Sequence, residues 1–495
     1  MPMYTSTRGG GEPLNSAKAI IKGIADDKGL YVPVEIPKLP VPADVMAGLH
    51  YREVATIVLK TFFDDFTDEE ISACVKGAYD SKFAREEIVP IAKVTGEVPA
   101  YFLELYHGKT AAFKDMALSI LPYLLTTSMK KENEQAQIAI LTATSGDTGK
   151  AALEGFADVP GTQIIVFFPD EGVSEVQKRQ MITQEGANTH VFAIRGNFDD
   201  AQTGVKNIFA DNDFADALLE KGYKLSSANS INIGRLVPQV AYYVYAYAKM
   251  VEVGEIRPGD PINVTVPTGN FGNILAAYYA KQMGVPIAKF ICASNENKVL
   301  TDFFETGVYN KDRIFHTTNS PSMDILISSN LERLLYHLSG MDGEEVRGYM
   351  KDLDEKKQYE ISEKIREGLK DFRGGYADEQ DTLQAIGDVY DKFGYLMDTH
   401  TGVAYSVYRK YVQETGDRTK TIIASTASPY KFAKAVSDGI GLDMEPSDFQ
   451  YIVALRKESG VEIPEGLRDL EKKEVLHPDV IGVEQMADYV WNCLE

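Results

Sequence analysis

The sequence predicts an α/β fold with largely parallel, open sheets flanked by helices on both faces, preceded by a mainly helical N-terminal domain. From about residue 100 onwards, short apolar strands alternate with helical patterns, which is the signature of such sheets. Glycine-rich segments follow several of these strands directly. The six strands expected are 137–144, 162–169, 189–194, 262–267, 288–294 and 420–426.

Residues 1–95 are expected to form a separate cap domain. A helical stretch at 15–25 leads into GLYVPVEIPKLPVP, whose prolines make it an extended connector. Two segments, at 52–63 and 68–80, then show apolar residues spaced near the helical period. The cap should therefore be mainly helical.

The length of 495 residues indicates more than one further domain. We expect a smaller α/β domain, together with a lysine-bearing segment, in 96–250 and a larger α/β domain in 251–495. Within the larger domain, about 340–395 is highly charged, with many opposite charges three or four residues apart. This pattern predicts an exposed helical insert.

The formal charge of −22 argues against nucleic-acid and anionic-membrane partners, because no basic tract offsets it. An anionic substrate would need a local basic pocket. Only three cysteines are present and they are widely spaced, so no disulfide framework or metal-ligand pair is indicated. The opening MPMYTSTRGG lacks the pattern of a secretory signal. We expect a cytoplasmic protein without a metal.

Four segments carry the candidate chemistry: HGKTAAFKD (107–115), TATSGDTG (142–149), PTGNFGN (267–273) and STASP (425–429). The last three each follow a strand, and ligands of parallel sheets bind beyond the strands' carboxyl ends. They should therefore share one rim. A lysine, turns rich in backbone N–H donors and a late hydroxyl together suit pyridoxal phosphate (PLP) as cofactor.

In this order the motifs resemble those of the threonine synthase family, in the tryptophan-synthase-β-like (fold type II) class of PLP enzymes. The resemblance extends from residue 4 to about 435. It implies two open, mostly parallel sheets, and a carbon–oxygen lyase that converts O-phospho-L-homoserine and water to L-threonine and phosphate. The alternatives are a serine/threonine dehydratase or other elimination or replacement enzyme of this fold, and a non-catalytic relative. The oligomeric state is left open.

Lys114 is expected to bind the aldehyde of PLP. It opens an otherwise apolar helix with Asp115 in the first turn, and apolar surroundings lower a lysine's pKa from about 10.4 and free its amine. The motif HG-x-T-x-AFKD implies the same role by resemblance. Lys109 is expected to bind an anionic group or lower the pKa of Lys114, with an exposed loop lysine as the equal alternative.

The PTGNFGN turn resembles the family's loop for the phosphate of PLP. Glycine and asparagine tolerate left-handed backbone, so the turn can direct successive N–H groups inward, and the following helix adds a favourable dipole. The residues expected to bind this phosphate are Gly269, Asn270, Phe271, Gly272 and Asn273.

Thr426 matches the family's hydroxyl partner for the pyridine nitrogen of PLP. A neutral partner does not force that nitrogen to stay protonated, as a carboxylate would, and this favours elimination and replacement over transamination. Ser425 or Ser428 could make the contact instead.

The TSGDTG segment is expected to lie over the ring and the substrate carboxylate, with Ser145, Gly146, Asp147 and Thr148 as substrate-binding residues. Shorter family members have asparagine where Asp147 stands, beside the phenolic oxygen of PLP. A carboxylate would repel a phenolate, so Asp147 is expected instead to cap a helix that begins at Thr148.

NSINIGR (229–235) resembles the family's binding segment for the substrate phosphate, through Ser230, Asn232 and Arg235. Arginine presents a planar fork that matches phosphate. His400, in DTHTGVA, is expected to be structural. YTSTRG near the N-terminus also resembles the family, without an assigned chemistry.

Overall fold

Strands and helices alternate along most of the chain. The computed structural model describes residues 3–80, 82–96, 98–171, 173–443 and 445–494. The strands are β1 Tyr4–Ser6, β2 Tyr31–Pro33, β3 Ile91–Val94, β4 Ala100–Glu104, β5 Gln137–Ala143, β6 Thr162–Pro169, β7 Thr189–Ile194, β8 Tyr223–Ser226, β9 Ile262–Pro267, β10 Ile287–Ser294, β11 Val308–Asn310, β12 Gln358–Glu360, β13 Phe372–Tyr376, β14 Thr421–Ser425 and β15 Val480–Ile481.

The α-helices complete the layers on either side of the sheets. They are α1 Ser16–Lys22, α2 Tyr51–Phe62, α3 Asp68–Tyr79, α4 Asp115–Leu118, α5 Leu121–Lys131, α6 Asp147–Phe156, α7 Glu175–Ile182, α8 Phe198–Ala210, α9 Asn212–Glu220, α10 Ile233–Leu236, α11 Pro238–Glu252, α12 Gly272–Met283, α13 Val299–Thr306, α14 Leu331–Leu338, α15 Gly343–Glu355, α16 Glu363–Gly368, α17 Glu379–Phe393, α18 Thr399–Thr415, α19 Ala433–Gly439, α20 Asp448–Ser459 and α21 Met486–Cys493. No helix in the described ranges has the length and apolar character needed to cross a membrane.

Two open sheets organise the molecule, as predicted. The larger has the strand order β13-β10-β9-β14-β4-β3 and the smaller β15-β7-β6-β5-β8. Every pairing is parallel except that of β3 with β4. The central strand β9 is buried along its whole length, because helices cover both faces of the sheet. All six predicted strands are present.

The two sheets do not follow the order of the chain. Strands β3 and β4 precede the smaller sheet in sequence but belong to the larger one. Conversely, β15, close to the C-terminal end, pairs with β7 at the edge of the smaller sheet. The chain therefore passes between the two sheets more than once, which ties them together.

The N-terminal helices form as predicted, and α2 packs on α11. Helix α3 begins with a capping box in which Thr67 accepts from the backbone N–H of Glu70 and Glu70 accepts from that of Thr67. Helix α11 is buried on nearly every side. Tyr51 of α2 meets Tyr245 of α11 edge to face, with ring centroids 5.6 Å apart. The cap is thus part of the wall behind the lysine segment.

The 340–395 stretch differs from the exposed helical insert that its charges predict. It contains helices α15, α16 and α17, but β13 between them is an edge strand of the larger sheet. The glycines of FRGGY hide this strand from a pattern of apolar residues. A Cβ on Gly374 would lie 2.8 Å from the Cα of Thr301, so glycine is needed for the close packing of α13 on the strand.

Candidate active site

The lysine segment and the STASP segment are joined by backbone hydrogen bonds. Phe113 donates its N–H to the carbonyl of Thr426 (2.7 Å), and Ser428 donates to the carbonyl of Ala111 (2.9 Å). These bonds fix Lys114, the residue after Phe113, relative to the end of β14. The segment that carries the predicted aldehyde-binding lysine and the segment that carries the predicted pyridine partner are therefore held together by backbone hydrogen bonds.

The Lys114 amine is buried in a polar pocket. Its Nζ donates to Ser322 Oγ (3.2 Å) and lies 3.8 Å from Asp147 Oδ2. Burial is the main cause that lowers the pKa of Lys114 to about 8; Asp147 opposes it, and Arg235 and Lys431 contribute to the lowering by like-charge repulsion. An amine with this pKa is partly neutral near pH 7 and can attack an aldehyde.

Lys109 takes no part in this lowering. Its Nζ lies 3.2 Å from Glu154 Oε1 in α6, and more than half of its side chain is exposed. The expected repulsion on Lys114 comes instead from cations far away in sequence. Lys109 is a loop lysine in a surface ion pair, the alternative left open above.

In the PTGNFGN turn, two carbonyls accept hydrogen bonds from a neighbouring segment, whereas several N–H groups are left without partners in the described residues. Ser328 Oγ donates to the carbonyl of Gly269 (2.6 Å), and Asn330 donates to that of Asn270 through both its backbone N–H (3.1 Å) and its Nδ2 (2.9 Å). Phe271 adopts left-handed backbone, φ 65°. From Gly269 to the start of α12, no N–H group bonds to another described residue. These donors can hold a phosphate.

Close approaches surround the same turn. A Cβ on Gly269 would lie 2.5 Å from the carbonyl oxygen of Ser322, so only glycine fits there. A Cβ on Gly272 would lie 3.9 Å from the Cβ of Ser230, which places NSINIGR beside the turn. Asn273 Nδ2 is buried and has no partner among the described residues. It is a further donor for a bound group.

Of the three hydroxyls in STASP, that of Thr426 is free to bind. Ser425 Oγ lies 3.1 Å from Thr401 Oγ1, and Ser428 Oγ accepts from the backbone N–H of Tyr430. Thr426 is buried, and its hydroxyl makes no hydrogen bond within the part of the chain that the structure describes. This favours Thr426 over its two neighbours as the pyridine partner.

The expectation that Asp147 caps a helix starting at Thr148 is wrong. Helix α6 begins at Asp147 itself, with Gly146 as N-cap. The Gly146 φ of 142° favours glycine at this position, so no side chain caps the helix. The Asp147 carboxylate turns into the protein, where Oδ1 lies 2.6 Å from Lys431 Nζ and accepts from Gln177 Nε2 (2.9 Å). Its charge is used in an ion pair.

Lys431 is a site residue that the sequence did not reveal. Its side chain is fully buried and donates also to the carbonyl of Thr110 and to Gln180 Oε1, both at 3.1 Å. Burial alone would raise the pKa of Asp147, but Lys431 and then Lys114 hold it well below its usual range. Because Lys431 balances its charge, the Asp147 carboxylate can lie beside the phenolic oxygen of PLP without repelling a phenolate.

Two other residues of TSGDTG are at least partly exposed. Ser145 is exposed and Thr148 half-buried, so both hydroxyls are accessible to a ligand. Thr144 Oγ1 accepts from the N–H groups of Gly146 (3.0 Å) and Gly149 (2.9 Å) and fixes the turn before α6.

Arg235 is a buried cation with spare donors. Its Nη1 donates to the carbonyl of Ala228 (2.7 Å), and no carboxylate pairs with it in the described residues. Burial lowers its pKa to about 10. Asn232 is different: its Oδ1 accepts from Gly234 N–H and its Nδ2 donates to the carbonyl of Ile20 (3.0 Å). Asn232 positions α10, and Arg235 is free to bind an anion.

A second buried arginine, also missed from sequence, connects three parts of the fold. Arg333 donates to the carbonyl of Tyr31 (2.9 Å), to Asn330 Oδ1 and to the carbonyl of Ile231 (2.5 Å). It thereby links the N-terminal domain, the support of the PTGNFGN turn and the NSINIGR segment.

The N-terminal YTSTRG segment acts through the neighbour of Arg333. Arg8 pairs with Glu332 through two hydrogen bonds of 3.0 Å, and Thr7 Oγ1 donates to the same carboxylate (2.6 Å). The segment clamps the start of α14, which supports the turn. Its contribution to the site is structural.

The residues fit the aldehyde, the phosphate and the pyridine nitrogen of PLP. Lys114 supplies an amine of lowered pKa, the PTGNFGN turn supplies unbonded N–H donors, and Thr426 supplies a free buried hydroxyl. Within the same ranges, no three histidine, cysteine or acidic side chains come close enough together to hold a metal ion.

Comparisons with protein families agree with this fit. Residues 3–79 match a family described as threonine synthase N terminus, 86–426 one described as pyridoxal-phosphate dependent enzyme, and 401–486 one described as threonine synthase, C-terminal. The cofactor of this chain is therefore PLP.

Individual relatives extend the comparison. Human threonine synthase-like 1 is 41% identical over 86% of this chain, which spans 58% of that protein's length. Threonine synthase of Pseudomonas aeruginosa is 37% identical over 88% of this chain and 90% of its own length. PLP-bound threonine synthase from Brucella melitensis superposes with a TM-score of 0.88 at 35% identity, covering both chains completely. Yeast threonine synthase gives 0.89 at 31%, covering 100% of this chain and 99% of its own.

Proposed function

The chain belongs to the threonine synthase family of PLP-dependent enzymes, and from this premise we propose that it converts O-phospho-L-homoserine and water to L-threonine and phosphate. The observation that carries the proposal is Arg235, a buried guanidinium with no carboxylate partner in the described part of the chain. A buried charge is costly unless a counter-charge reaches it. An anionic substrate group would provide that charge.

The position of Arg235 supports its assignment to the substrate's phosphate rather than to its carboxylate. Ser230 lies beside the PTGNFGN turn, and Arg235 is near enough to Lys114 to lower its pKa. An anion at Arg235 would thus lie on the side of the site nearest that turn. TSGDTG, with its accessible hydroxyls and helix N-terminus, remains for the carboxylate.

Bound PLP supplies an electron sink for carbanions formed next to the substrate nitrogen. The chain's residues do the rest. Lys114 Nζ takes and returns protons at the substrate carbons, which its lowered pKa permits near neutral pH. Thr426 leaves the pyridine nitrogen without a negative partner, and Arg235 holds the phosphate as it departs. Water then adds to give the hydroxyl of threonine.

A dehydratase of the same fold is the main rival function. It would act on serine or threonine, which lack a phosphate, and would leave the Arg235 charge without a partner. The test is Arg235→Ala and Arg235→Lys, assayed for kcat/KM with O-phospho-L-homoserine and for affinity toward unphosphorylated homoserine. Arg456→Ala removes an exposed arginine paired with Glu462 and serves as the matched control.

We expect Arg235→Ala to lower kcat/KM by about 10- to 100-fold, the size of a charge-assisted hydrogen bond, and to leave PLP binding and homoserine affinity nearly unchanged. Arg235→Lys should recover only part, because an ammonium lacks the bidentate fork. Equal weakening of both ligands would contradict phosphate recognition by Arg235.

A further inference from the structure

Residues 318–324 form a wall of the site beside the reactive lysine. Ser322 Oγ accepts a hydrogen bond of 3.2 Å from Lys114 Nζ. The carbonyl oxygen of Ser322 reaches so close to the PTGNFGN turn that a Cβ on Gly269 would come within 2.5 Å of it. One short segment therefore touches both the amine that reacts and the turn that holds the cofactor phosphate.

This wall is held together by a half-buried carboxylate. Asp324 accepts from the N–H (2.9 Å) and hydroxyl (2.8 Å) of Thr318, and from the side-chain amides of Asn295 (2.7 Å) and Asn297 (3.1 Å). The two asparagines follow β10. The wall is thus anchored to the larger sheet and is a built part of the site.

His400 fixes the backbone of Ser322 from the other side. Its Nε2 accepts from the Ser322 N–H (3.1 Å), and its Nδ1 lies 2.8 Å from Asp398 Oδ2. An ionised carboxylate can only accept, and a backbone N–H can only donate. His400 must therefore carry its proton on Nδ1 and keep the lone pair of Nε2 for Ser322.

The same carboxylate reaches the far side of the cofactor site. Asp398 is completely buried and accepts from both the N–H (3.2 Å) and the hydroxyl of Thr401. The Thr401 hydroxyl lies 3.1 Å from Ser425 Oγ, next to Thr426. Asp398 thus connects the hydrogen-bond acceptor of Lys114 with the strand end that carries the pyridine partner.

We propose that Ser322 is a catalytic residue that holds the free Lys114 amine in place for proton transfer, and that His400 and Asp398 are positioning residues acting through the Ser322 backbone. The inference rests on the proposed function, because it assigns these residues a part in that reaction. Lys114 Nζ donates one of its N–H groups to Ser322 Oγ in a hydrogen bond. This bond fixes the orientation of the amine, so that its lone pair is directed at the substrate.

Three single variants distinguish the contact of Ser322 with the Lys114 amine from the contacts of His400 with Ser322 and Asp398. Ser322→Ala removes the acceptor of the amine. His400→Asn keeps an Asp398 contact but loses the acceptor for the Ser322 N–H, whereas the amide oxygen of His400→Gln reaches the Nε2 position. We measure kcat and KM with O-phospho-L-homoserine and, without substrate, the rate at which the cofactor-free protein attaches added PLP covalently. Ser128→Ala, whose buried hydroxyl donates to the carbonyl of Leu124 within α5, is the control.

Loss of one neutral hydrogen bond should lower both kcat and the attachment rate by about 3- to 10-fold in Ser322→Ala and His400→Asn. KM should stay within about twofold, and His400→Gln should recover most of the loss. Because both residues act on one amine, Ser322→Ala/His400→Asn should lose no more than the more impaired single variant.

Additive losses in the double variant, or no recovery in His400→Gln, would show that His400 only stabilises the fold. An unchanged attachment rate in Ser322→Ala would overturn the role of Ser322. The attachment assay needs no substrate. If the wild-type protein released no phosphate from O-phospho-L-homoserine, the proposed function would fail while the attachment rates still decided this inference.

Discussion

The buried pair of Lys431 and Asp147 offers a quantitative test of the site's electrostatics. Lys431 Nζ lies 2.6 Å from Asp147 Oδ1, and both side chains are at most 3% exposed. Lys431→Met retains the length of the side chain but removes its charge. Among the residues that the structure describes, the cation that then remains paired with Asp147 is Lys114, 3.8 Å away.

Breaking a buried ion pair from one side costs about 3–5 kcal/mol, because the remaining charge stays desolvated. The residual contact with Lys114 places Lys431→Met near the lower end, at about 3 kcal/mol. Asp147→Asn alone leaves Lys431 buried with neutral acceptors and should also destabilise. Lys431→Met/Asp147→Asn removes both charges and should lie within about 1 kcal/mol of the wild type.

The measurement is urea unfolding of the four proteins in their cofactor-free form, in which Lys114 keeps its free amine, followed by circular dichroism and tyrosine fluorescence. Combined as a double-mutant cycle, the data should give a coupling free energy of at least about 2 kcal/mol. Additivity within about 0.5 kcal/mol, or a loss below about 1 kcal/mol in Lys431→Met, would refute the pair's role in neutralising Asp147.

Three further outcomes follow from the site. Lys114→Ala should abolish turnover and the visible absorbance of bound cofactor. Borohydride reduction of the wild type followed by peptide mapping should label Lys114. A label on Lys109 or Lys150 would show that the motif is misassigned. The Lys114 pKa of about 8 lies below the ordinary value for lysine, so the fraction of neutral amine rises with pH up to about that value. The rate of PLP attachment to cofactor-free protein should therefore increase about tenfold per pH unit below pH 8 and level off above it. A plateau reached only near the ordinary lysine pKa would contradict the effect of burial. Thr426→Asp should keep PLP but lose elimination activity and gain some transamination, because a carboxylate holds the pyridine nitrogen protonated; unchanged threonine production would exclude the contact.

Local patterns in the sequence predict the strands and the motif-bearing turns. Parallel strands buried on both faces are apolar along their length, and glycine-rich turns at their carboxyl ends mark one rim. Lys114 and Thr426 were predicted from motifs that resemble those of the threonine synthase family, and backbone hydrogen bonds between their two segments hold these residues together. The strand β13 was missed because its glycines pack against α13 and carry no apolar pattern.

The charges around the site depend on contacts between distant segments, and local patterns do not show them. Lys431 meets Asp147 although the two are far apart in sequence, and Arg333 links Tyr31 to Ile231. His400 was expected to be structural, yet its ring accepts a hydrogen bond from the Ser322 N–H, and the Ser322 hydroxyl accepts one from the Lys114 amine. Burial strengthens the interactions between these charged side chains and so shifts the pKa values of Lys114 and Asp147. Which side chains are buried together depends on the folded chain and is not visible in local sequence patterns.

The most direct test of the central proposal is the product formed from O-phospho-L-homoserine by the PLP-bound protein in water enriched with heavy oxygen. Phosphate and amino-acid products are quantified together, the latter by mass spectrometry. We expect L-threonine in equal amount to the phosphate released, with the heavy oxygen in its side-chain hydroxyl. Phosphate accompanied by a 2-oxo acid instead of threonine, or no phosphate at all, would contradict the proposed function.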